Sequence, residues 1–254
     1  MGPNIPISRS DTVDLSVRNA YERGVTADLK SPQQLRLNFR RAPSYSSAEF
    51  SVGASNRDAV SRIQAWRHWH NGSLALIGPE SSGKTHLARM WSESVGAKIC
   101  RSDALDPLAA PDGPLVLEDV DQGAHAELLF YCLNRAAQSN TPLLLTGRTL
   151  PSTWPADLPD LRSRLNALQV AELLPPDDDV LTDSLRSFFK SRNIRPAEDI
   201  YPYLVARMHR SISAAQDLVD RLDEAADALG RPISKALARE VLGADIENLD
   251  LFDG

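Results

Sequence analysis

Apolar residues change from isolated positions to continuous runs in the middle of the chain. From about residue 73, short apolar runs bounded by Gly, Pro or Asp alternate with longer stretches of helical spacing. The runs are SLALI, AKIC, PLVLEDV, PLLLTG and, further on, LQVAEL. Continuous apolar runs of about four to six residues are typical of strands that are buried on both faces of a parallel sheet. The pattern therefore predicts an α/β fold with a parallel sheet.

Two further regions have helical periodicity only. Ser55 or Asn56 could cap a helix that stops near residue 71. Beyond Pro175 and Pro176, helices are predicted at residues 178–190, 196–208, 211–229 and 233–242. The predicted parts of the chain are a flexible leader at 1–42, an α/β base at 43–175, a small all-helical lid at 176–243 and a C-terminal tail at 244–254.

The composition excludes several classes of function. The chain has 254 residues, 42% of them apolar, and a net charge of −6, which disfavours a generally basic nucleic-acid-binding surface. No apolar run approaches the roughly 18 to 20 residues of a membrane-spanning helix, and no signal-peptide pattern occurs, so we expect a cytoplasmic protein without a membrane role. Cys100 and Cys132 lie in separate apolar segments, which predicts buried free thiols rather than a zinc site or a disulfide.

The segment GPESSGKT matches the phosphate-loop pattern GxxxxGK[ST] and lies between a predicted strand and a predicted helix. Its glycines permit a tight backbone path on which successive N–H groups and the helix N-terminus face phosphate oxygens. The lysine would reach the β- and γ-phosphates, and the threonine would bind Mg²⁺. The phosphate-binding candidates are Gly78, Pro79, Glu80, Ser81, Ser82, Gly83, Lys84, Thr85 and His86.

The segment LVLEDVD follows the phosphate loop by about thirty residues and ends a buried strand with acids. Glu118 and Asp119 are therefore candidates for the Mg²⁺ shell, together with Thr85. Acids at a strand end alone would more often be a solvated turn, and the preceding phosphate loop reverses that preference. The histidines of WRHWH are two residues apart and point apart on a helix, so a metal site is not expected there.

Several of these segments, in this order, resemble the AAA+ ATPases of the DnaA initiator group. The matching segments are FSVGASNRDAV at the adenine, GPESSGKTHLAR as phosphate loop, LVLEDVD as Walker B strand, LLLTGR as sensor 1 strand and LPDLRSRL as arginine-finger helix. The resemblance implies an AAA+ P-loop parallel-sheet base with a small all-helical lid. It also implies that ADP or ATP binds with Mg²⁺, and that Val52 and Gly53 pack on the adenine.

The resemblance also assigns roles to individual polar positions. Arg164 falls at the arginine-finger position, and Arg162 is a candidate helper. Arg148 replaces the expected Asp or Asn at sensor 1, and the position of the sensor 2 arginine falls on Ser213 or a nearby residue. Without that arginine, the protein's binding preference for ATP over ADP should be smaller. Because Glu118 also replaces the usual Asp, we expect nucleotide binding with weak or no intrinsic ATPase activity.

Within this group, the chain is similar to Hda-type regulators, which join a short clamp-binding peptide to one AAA+ module. A full-length initiator continues into a basic helix-turn-helix domain, so a sequence-specific DNA-binding initiator is disfavoured. The resemblance implies a protein that docks on the sliding clamp and stimulates ATP hydrolysis by DnaA, and so limits replication initiation. Arg164 would act in trans on the partner's nucleotide. Self-association is compatible with this mechanism, since AAA+ arginine fingers lie at subunit junctions.

The segment SPQQLRLNF, in the leader, has two interpretations. Alternating apolar residues suit an edge strand packed on its own domain, which is the preferred interpretation of the pattern alone, and they also suit a docking peptide with apolar anchors. The resemblance favours the docking peptide, at residues 34–39. Its clamp-binding candidates are Gln34, Leu35, Leu37 and Phe39.

The segment ENLDLF near the other end resembles a compact clamp-binding peptide, with Leu249, Leu251 and Phe252 as anchors. The alternative is a C-terminal tail that packs two apolar residues against the lid. If both peptides bind, a multimeric clamp could be contacted twice and avidity would rise.

Two other classes of function compete with the regulator. One is an autonomous, DNA-stimulated AAA+ ATPase of the helicase-loader type. The other is a scaffold in which a bound nucleotide only stabilises the arrangement of base and lid. Hydrolysis by the isolated protein, with and without single-stranded DNA, separates the motor from the other two.

Overall fold

A computed structural model describes residues 50–103 and 112–249, all of which belong to one compact unit. The predicted peptide at residues 34–39 lies outside the described residues, and so do Leu251 and Phe252. Leu249 is the last residue of the last helix. No helix among the described residues is long and apolar enough to cross a membrane.

All five strands pair in parallel and form one sheet. The strands are β1 (Ser73–Ile77), β2 (Lys98–Arg101), β3 (Leu115–Glu118), β4 (Leu143–Gly147) and β5 (Gln169–Glu172). Their order in the sheet is β2-β3-β4-β1-β5, so β4 is the central strand and β1 lies between β4 and β5. The pairing places the carboxyl ends of all five strands along one edge of the sheet, which we call the carboxyl edge. The opposite edge, where the strands begin, is the amino edge.

Helices cover both faces of this sheet. They are α1 (Arg57–Gln64), α2 (Lys84–Val95), α3 (Ala126–Ser139) and α4 (Pro159–Asn166). Alternate residues of β1 point to opposite faces. Leu74 and Leu76 pack with α1 and α2, whereas Ala75 and Ile77 pack with α3 and α4. Burial on both faces explains why the strands have continuous apolar runs, as the sequence predicts.

The first helix differs from its prediction. Helix α1 ends at Gln64 and is followed by two short 3-10 turns, the second of which contains Asn71 in a left-handed backbone conformation with φ of 51°. The Asn56 side chain makes no capping hydrogen bond and instead accepts one from the Gly53 N–H at 2.9 Å. Trp69 stacks on Trp91 with ring centroids 5.1 Å apart and packs in the core.

The rest of the described chain is helical and forms its own apolar core. The lid helices are α5 (Asp178–Ser191), α6 (Ile200–Val205), α7 (Ile212–Leu229) and α8 (Lys235–Leu249). Helix α6 is shorter than its predicted range of 196–208, because the N–H of Ile200 closes a turn on the Ala197 carbonyl before the helix begins. The side chains of Asp177 and Ser211 cap α5 and α7.

Candidate functional site

The phosphate-loop segment follows β1 at the carboxyl edge and leads into α2 at Lys84. Gly78 has φ of 153°, and a Cβ added to it would lie 2.4 Å from the Leu173 carbonyl oxygen, so no other residue fits. Gly83 has φ of 99° and precedes α2 without a side-chain cap, which leaves the first N–H groups of the helix open to a ligand. Thr85 is exposed in the first turn of α2. This local structure has the backbone path and the open N–H groups that an anion cradle requires, and phosphate binding by the loop stays a prediction.

Lys84 lies over this loop. Its Nζ donates hydrogen bonds to the carbonyl oxygens of Gly78 at 2.8 Å and Pro79 at 2.7 Å. Burial lowers the pKa of Lys84 and the charge of Arg148 lowers it further, whereas Asp119, Asp121 and Glu80 raise it, and the net shift is downward. An anion at the loop would stabilise the charged ammonium and oppose this shift.

Acidic side chains from the end of β3 face the same edge. Asp119 has a left-handed backbone with φ of 57°, and its N–H donates to Thr146 Oγ1 at 3.1 Å. Its carboxylate lies 3.5 Å from the Arg101 guanidinium. Asp121, which sequence reasoning missed, accepts a hydrogen bond from the Arg148 N–H at 2.9 Å. The sequence signal that could have identified Asp121 is its position three residues after Glu118, in the same acidic turn.

Three buried oxygens at this edge have no hydrogen-bond partner among the described residues. They are Ser82 Oγ, Glu118 Oε1 and Asp121 Oδ1. Unpartnered buried polar atoms cost stability, so they indicate a site that a ligand or ion completes. Carboxylate oxygens suit Mg²⁺, and the hydroxyl and N–H groups suit phosphate oxygens. The residues therefore fit a phosphate-bearing ligand with a divalent cation. No cluster of three or more metal-binding side chains occurs among the described residues.

Arg148 lies directly after β4, next to the phosphate loop. Ile77 and Gly147 are register partners, so the residues that follow them also come close together. Arg148 Nη1 forms an ion pair with Glu80 Oε2 at 3.1 Å. The position that the resemblance assigns to sensor 1 thus carries a cation beside the loop.

The segment of Val52 and Gly53 connects the base to the lid. A Cβ added to Gly53 would lie 2.6 Å from Val180 and 2.7 Å from Asp177, so the backbone touches the start of α5. Asp177 Oδ2 accepts a hydrogen bond from the Ser55 N–H at 2.8 Å. Val52 is 50% exposed. The exposed Val52 side chain and the backbone of Gly53 are thus available to contact a planar ligand at this junction.

Phe50 continues this junction toward the phosphate loop. Its ring lies edge-on to the ring of His86, with centroids 5.2 Å apart. A Cβ added to Gly83 would lie 3.6 Å from the same ring. Phe50 therefore connects the segment before α1 with the start of α2.

The lid contacts the phosphate loop through the start of α7. Ser213 Oγ donates to Ser81 Oγ at 2.9 Å, and the Ile212 N–H donates to the Ser81 carbonyl at 3.2 Å. Ser213 is neutral. The nearby Arg210 forms an ion pair with Asp178 at 2.7 Å, so its charge is paired within the lid.

Arg164 lies at the other edge of the sheet. It lines a surface pocket with residues from the start of β1, among them Asn71 and Ser73. Its guanidinium lies 5.5 Å from the centre of the Phe130 ring, and no hydrogen bond or ion pair to it is found in residues 50–103 and 112–249. The structure therefore does not bring Arg164 together with the phosphate-loop residues.

Arg162 has a different environment from Arg164. It donates to the carbonyl oxygens of Ser152 at 2.7 Å, Trp154 at 2.9 Å and Ala156 at 3.4 Å. All of its contacts lie within the connection between β4 and α4. These hydrogen bonds give Arg162 a structural role, and its interpretation as a helper of the finger stays a prediction.

Comparisons with known proteins concern the fold. No protein-family model matches the chain. Domain III of the Thermotoga maritima replication initiation protein DnaA is 18% identical and superposes with a TM-score of 0.67, covering 80% of this chain and 97% of its own. DnaA from Aquifex aeolicus bound to AMPPCP is 16% identical with a TM-score of 0.57, covering 68% of this chain and 63% of its own.

A third similar structure is the Thermotoga maritima RuvB Holliday junction branch migration motor. It is 16% identical with a TM-score of 0.59, and the match covers 74% of this chain and 69% of that chain. Identities at this level establish a common fold rather than a common function. The sequence-based fold prediction is confirmed: the chain has the AAA+ P-loop fold of DnaA and RuvB, with a five-stranded parallel sheet and a small helical lid.

Proposed function

We propose that this protein is a nucleotide-binding AAA+ regulator of replication initiation, whose Arg164 acts on the nucleotide of a partner ATPase. One observation carries the proposal. The phosphate loop and Arg164 lie at opposite edges of the same sheet, so Arg164 does not belong to the protein's own phosphate site.

The separation of Arg164 from the phosphate loop follows from the length of strand β1. Ser73, which lines the Arg164 pocket, begins β1, and Gly78 comes directly after its last residue. With a rise of about 3.3 Å per residue, these positions are about 16 Å apart. An arginine at that distance, with no side-chain acceptor in residues 50–103 and 112–249, is available to a second molecule. In phosphoryl transfer, an arginine supplied in trans stabilises the transition-state charge and raises the rate by about 10³- to 10⁵-fold.

The carboxyl edge would bind the protein's own nucleotide, ADP or ATP. Lys84 and the N–H groups of the loop would hold the phosphates, and Val52 and Gly53 would contact the adenine. Thr85, Glu118 and Asp119 would hold Mg²⁺. The AMPPCP bound to DnaA in similar structures supports an adenine nucleotide. The altered positions Arg148 and Ser213 favour binding over rapid turnover.

The partner follows from the resemblance to Hda-type regulators. The expected partner is the AAA+ module of the DnaA initiator, and the expected platform is the DNA-loaded sliding clamp, contacted through residues 34–39. The DnaA-like fold supports this choice. The protein would thereby accelerate ATP hydrolysis by DnaA and limit initiation.

The decisive experiment measures hydrolysis of ATP by DnaA on clamp-loaded DNA. Wild-type protein should stimulate hydrolysis, and Arg164→Ala should reduce the stimulation by about 10³-fold. Nucleotide binding by the Arg164→Ala protein itself should be unchanged. Arg186→Ala is a matched control, because Arg186 is also a partly exposed arginine next to an aromatic ring. Undiminished stimulation by the Arg164→Ala protein would refute the trans mechanism.

Clamp docking is tested separately by a pull-down on the sliding clamp. A variant with Gln34→Ala, Leu37→Ala and Phe39→Ala should lose binding, because each buried apolar anchor contributes about 1.5 to 3 kcal/mol. Removal of residues 247–254 should weaken binding only if the second peptide also docks. DNA-stimulated ATP turnover by the isolated protein would instead favour an autonomous motor, of which RuvB is a structural example.

A further inference from the structure

His70 and Arg164 line the same surface pocket at the amino edge, although one precedes β1 and the other lies in α4. The pocket has a volume of about 120 Å³, well above the roughly 10 to 15 Å³ that one water molecule needs, so it has room for a phosphoryl group. The parallel pairing of β1 with β5 brings together the segments that precede these two strands. The two side chains are therefore neighbours through the fold and not through the sequence.

The lining of this pocket favours an anion. Arg164 supplies a guanidinium and His70 an imidazole N–H, and none of the described residues that line the pocket is acidic. Leu133 forms an apolar part of the wall, and apolar surroundings strengthen the attraction between a cation and an anion. Ser73 is 1% exposed and its hydroxyl donates to the Asn71 carbonyl at 3.3 Å, so that hydroxyl is already bonded. Arg164 and His70 are thus the donors best suited to a ligand here.

The turn that carries His70 has a constrained backbone. Asn71 and Gly72 follow His70 with left-handed φ of 51° and 67°. A Cβ added to Gly72 would lie 2.9 Å from the Ala136 carbonyl oxygen, so the turn packs directly against α3. The His70 N–H donates to Gln169 Oε1 at 2.9 Å, which ties the turn to the first residue of β5. Left-handed residues other than glycine are uncommon and cluster at functional sites, and this turn fixes the position from which the imidazole extends.

The two histidines of WRHWH differ in their surroundings. His70 is exposed, and no hydrogen bond or ion pair to its imidazole is found in residues 50–103 and 112–249, since the bond to Gln169 uses its backbone N–H. His68 is also exposed but does not line the pocket. One histidine of this segment is therefore placed beside Arg164, and the other offers a comparison of the same residue type outside the pocket.

We propose that His70 is a second donor, beside Arg164, to the terminal phosphoryl group of the nucleotide bound by the partner ATPase. This inference rests on the proposed function of Arg164. In phosphoryl transfer, negative charge spreads over the oxygens of the transferred group, and donors that are already in position stabilise it. The guanidinium supplies the positive charge, and the imidazole N–H adds a directional contact to a second oxygen. The phosphoryl group thus lies between α4 and the turn before β1.

The test measures stimulation of ATP hydrolysis by DnaA on clamp-loaded DNA, with the full chain at increasing concentration. His70→Ala should lower the maximal stimulated rate by about tenfold, since about tenfold corresponds to one hydrogen bond to a charged group, and should leave the half-saturating concentration unchanged. His70→Gln retains an N–H donor and should recover part of the rate. His68→Ala is the matched control and should stimulate hydrolysis as the wild type does. The thermal midpoint of His70→Ala should equal that of wild type, because the imidazole has no bonded partner in the described chain.

A double variant tests whether both side chains act on one phosphoryl group. In that case His70→Ala should lower the rate much less in the Arg164→Ala protein than in wild type, because groups that act as a unit are not additive. An unchanged maximal rate for His70→Ala, a change in the half-saturating concentration alone, or an equal loss for His68→Ala would overturn the second donor and leave the role of Arg164 standing. Absence of stimulation by the wild-type protein would overturn the proposed function and the second donor together.

Discussion

The two edges of the sheet show opposite arrangements of charge. At the carboxyl edge, side chains from the loop, β3, β4 and the lid converge, and Lys84 is surrounded by carboxylates and by Arg148. At the amino edge, Arg164 lies beside Phe130 without a charged partner among the described residues. The carboxyl edge contains the proposed phosphate site, whereas the amino edge presents the Arg164 cation outward. A chain built in this way would combine its own nucleotide site with action on a neighbour's site.

The largest effect is expected from Lys84→Ala at the carboxyl edge. Loss of an ammonium that makes charge-assisted contacts to phosphates should lower nucleotide affinity by at least about 100-fold, since two such contacts contribute about 3 kcal/mol or more. Calorimetric titration with ADP measures the loss. Thermal unfolding without nucleotide serves as the control, and a normal midpoint shows that the fold is intact. Retained affinity would mean that the nucleotide does not bind at this edge.

A pair of neighbouring arginines tests the amino edge. Arg162→Ala removes hydrogen bonds to three backbone carbonyls and should lower the free energy of unfolding by about 2 kcal/mol. Arg164→Ala removes only an aromatic contact and should lower it by less than about 1 kcal/mol. Urea unfolding measures both variants. An equal loss for both would show that Arg164 is a structural residue like Arg162.

A smaller effect than that of Arg162→Ala is expected at Asp177, where the base meets the lid. Asp177→Ala removes the cap of α5 and a contact to residue 55, which should cost about 1 kcal/mol in urea unfolding at pH 7. If Asp177→Ala also lowers the affinity for ADP by about 1 kcal/mol, the nucleotide site includes this contact between base and lid. Unchanged stability would show that the cap is dispensable.

Asp177 should also make stability depend on pH. Burial raises the pKa of Asp177, but hydrogen bonds from the N–H groups of Val180, Ser55 and Ala54 lower it by more, so the folded value is below the ordinary one. The contribution of the ionised carboxylate is therefore complete above the unfolded pKa of about 3.9 and is lost as the pH falls through the lower folded value. The difference in the free energy of unfolding between wild type and Asp177→Asn should therefore become smaller below about pH 4. A difference that stays constant down to pH 2 would contradict the assignment.

Much of the carboxyl edge is predictable because its signals are local. The loop GPESSGKT lies in sequence order between a strand and a helix, and the tight turn itself requires its glycines. Glu118 and Asp119 are found by their position at a strand end. Asp121 is missed because its contact to Arg148 is made across neighbouring strands, and the pattern of apolar residues contains no information about that contact.

The amino edge is less predictable, since the sequence alone makes Arg162 and Arg164 look equivalent. They are two residues apart on α4, so their side chains point in different directions. One meets backbone carbonyls of the preceding connection, and the other meets Phe130. Their different roles depend on what each face of the helix packs against.

The sequence by itself determined the parallel sheet, the phosphate loop and the helical lid, because burial on both strand faces and the loop's backbone path impose residue types locally. Tertiary structure alone decided which charges meet. The pairing of β1 with β4 brings Arg148 to Glu80, and the length of β1 separates Arg164 from Lys84. These contacts depend on strand order and register, which join residues about 70 positions apart in the chain.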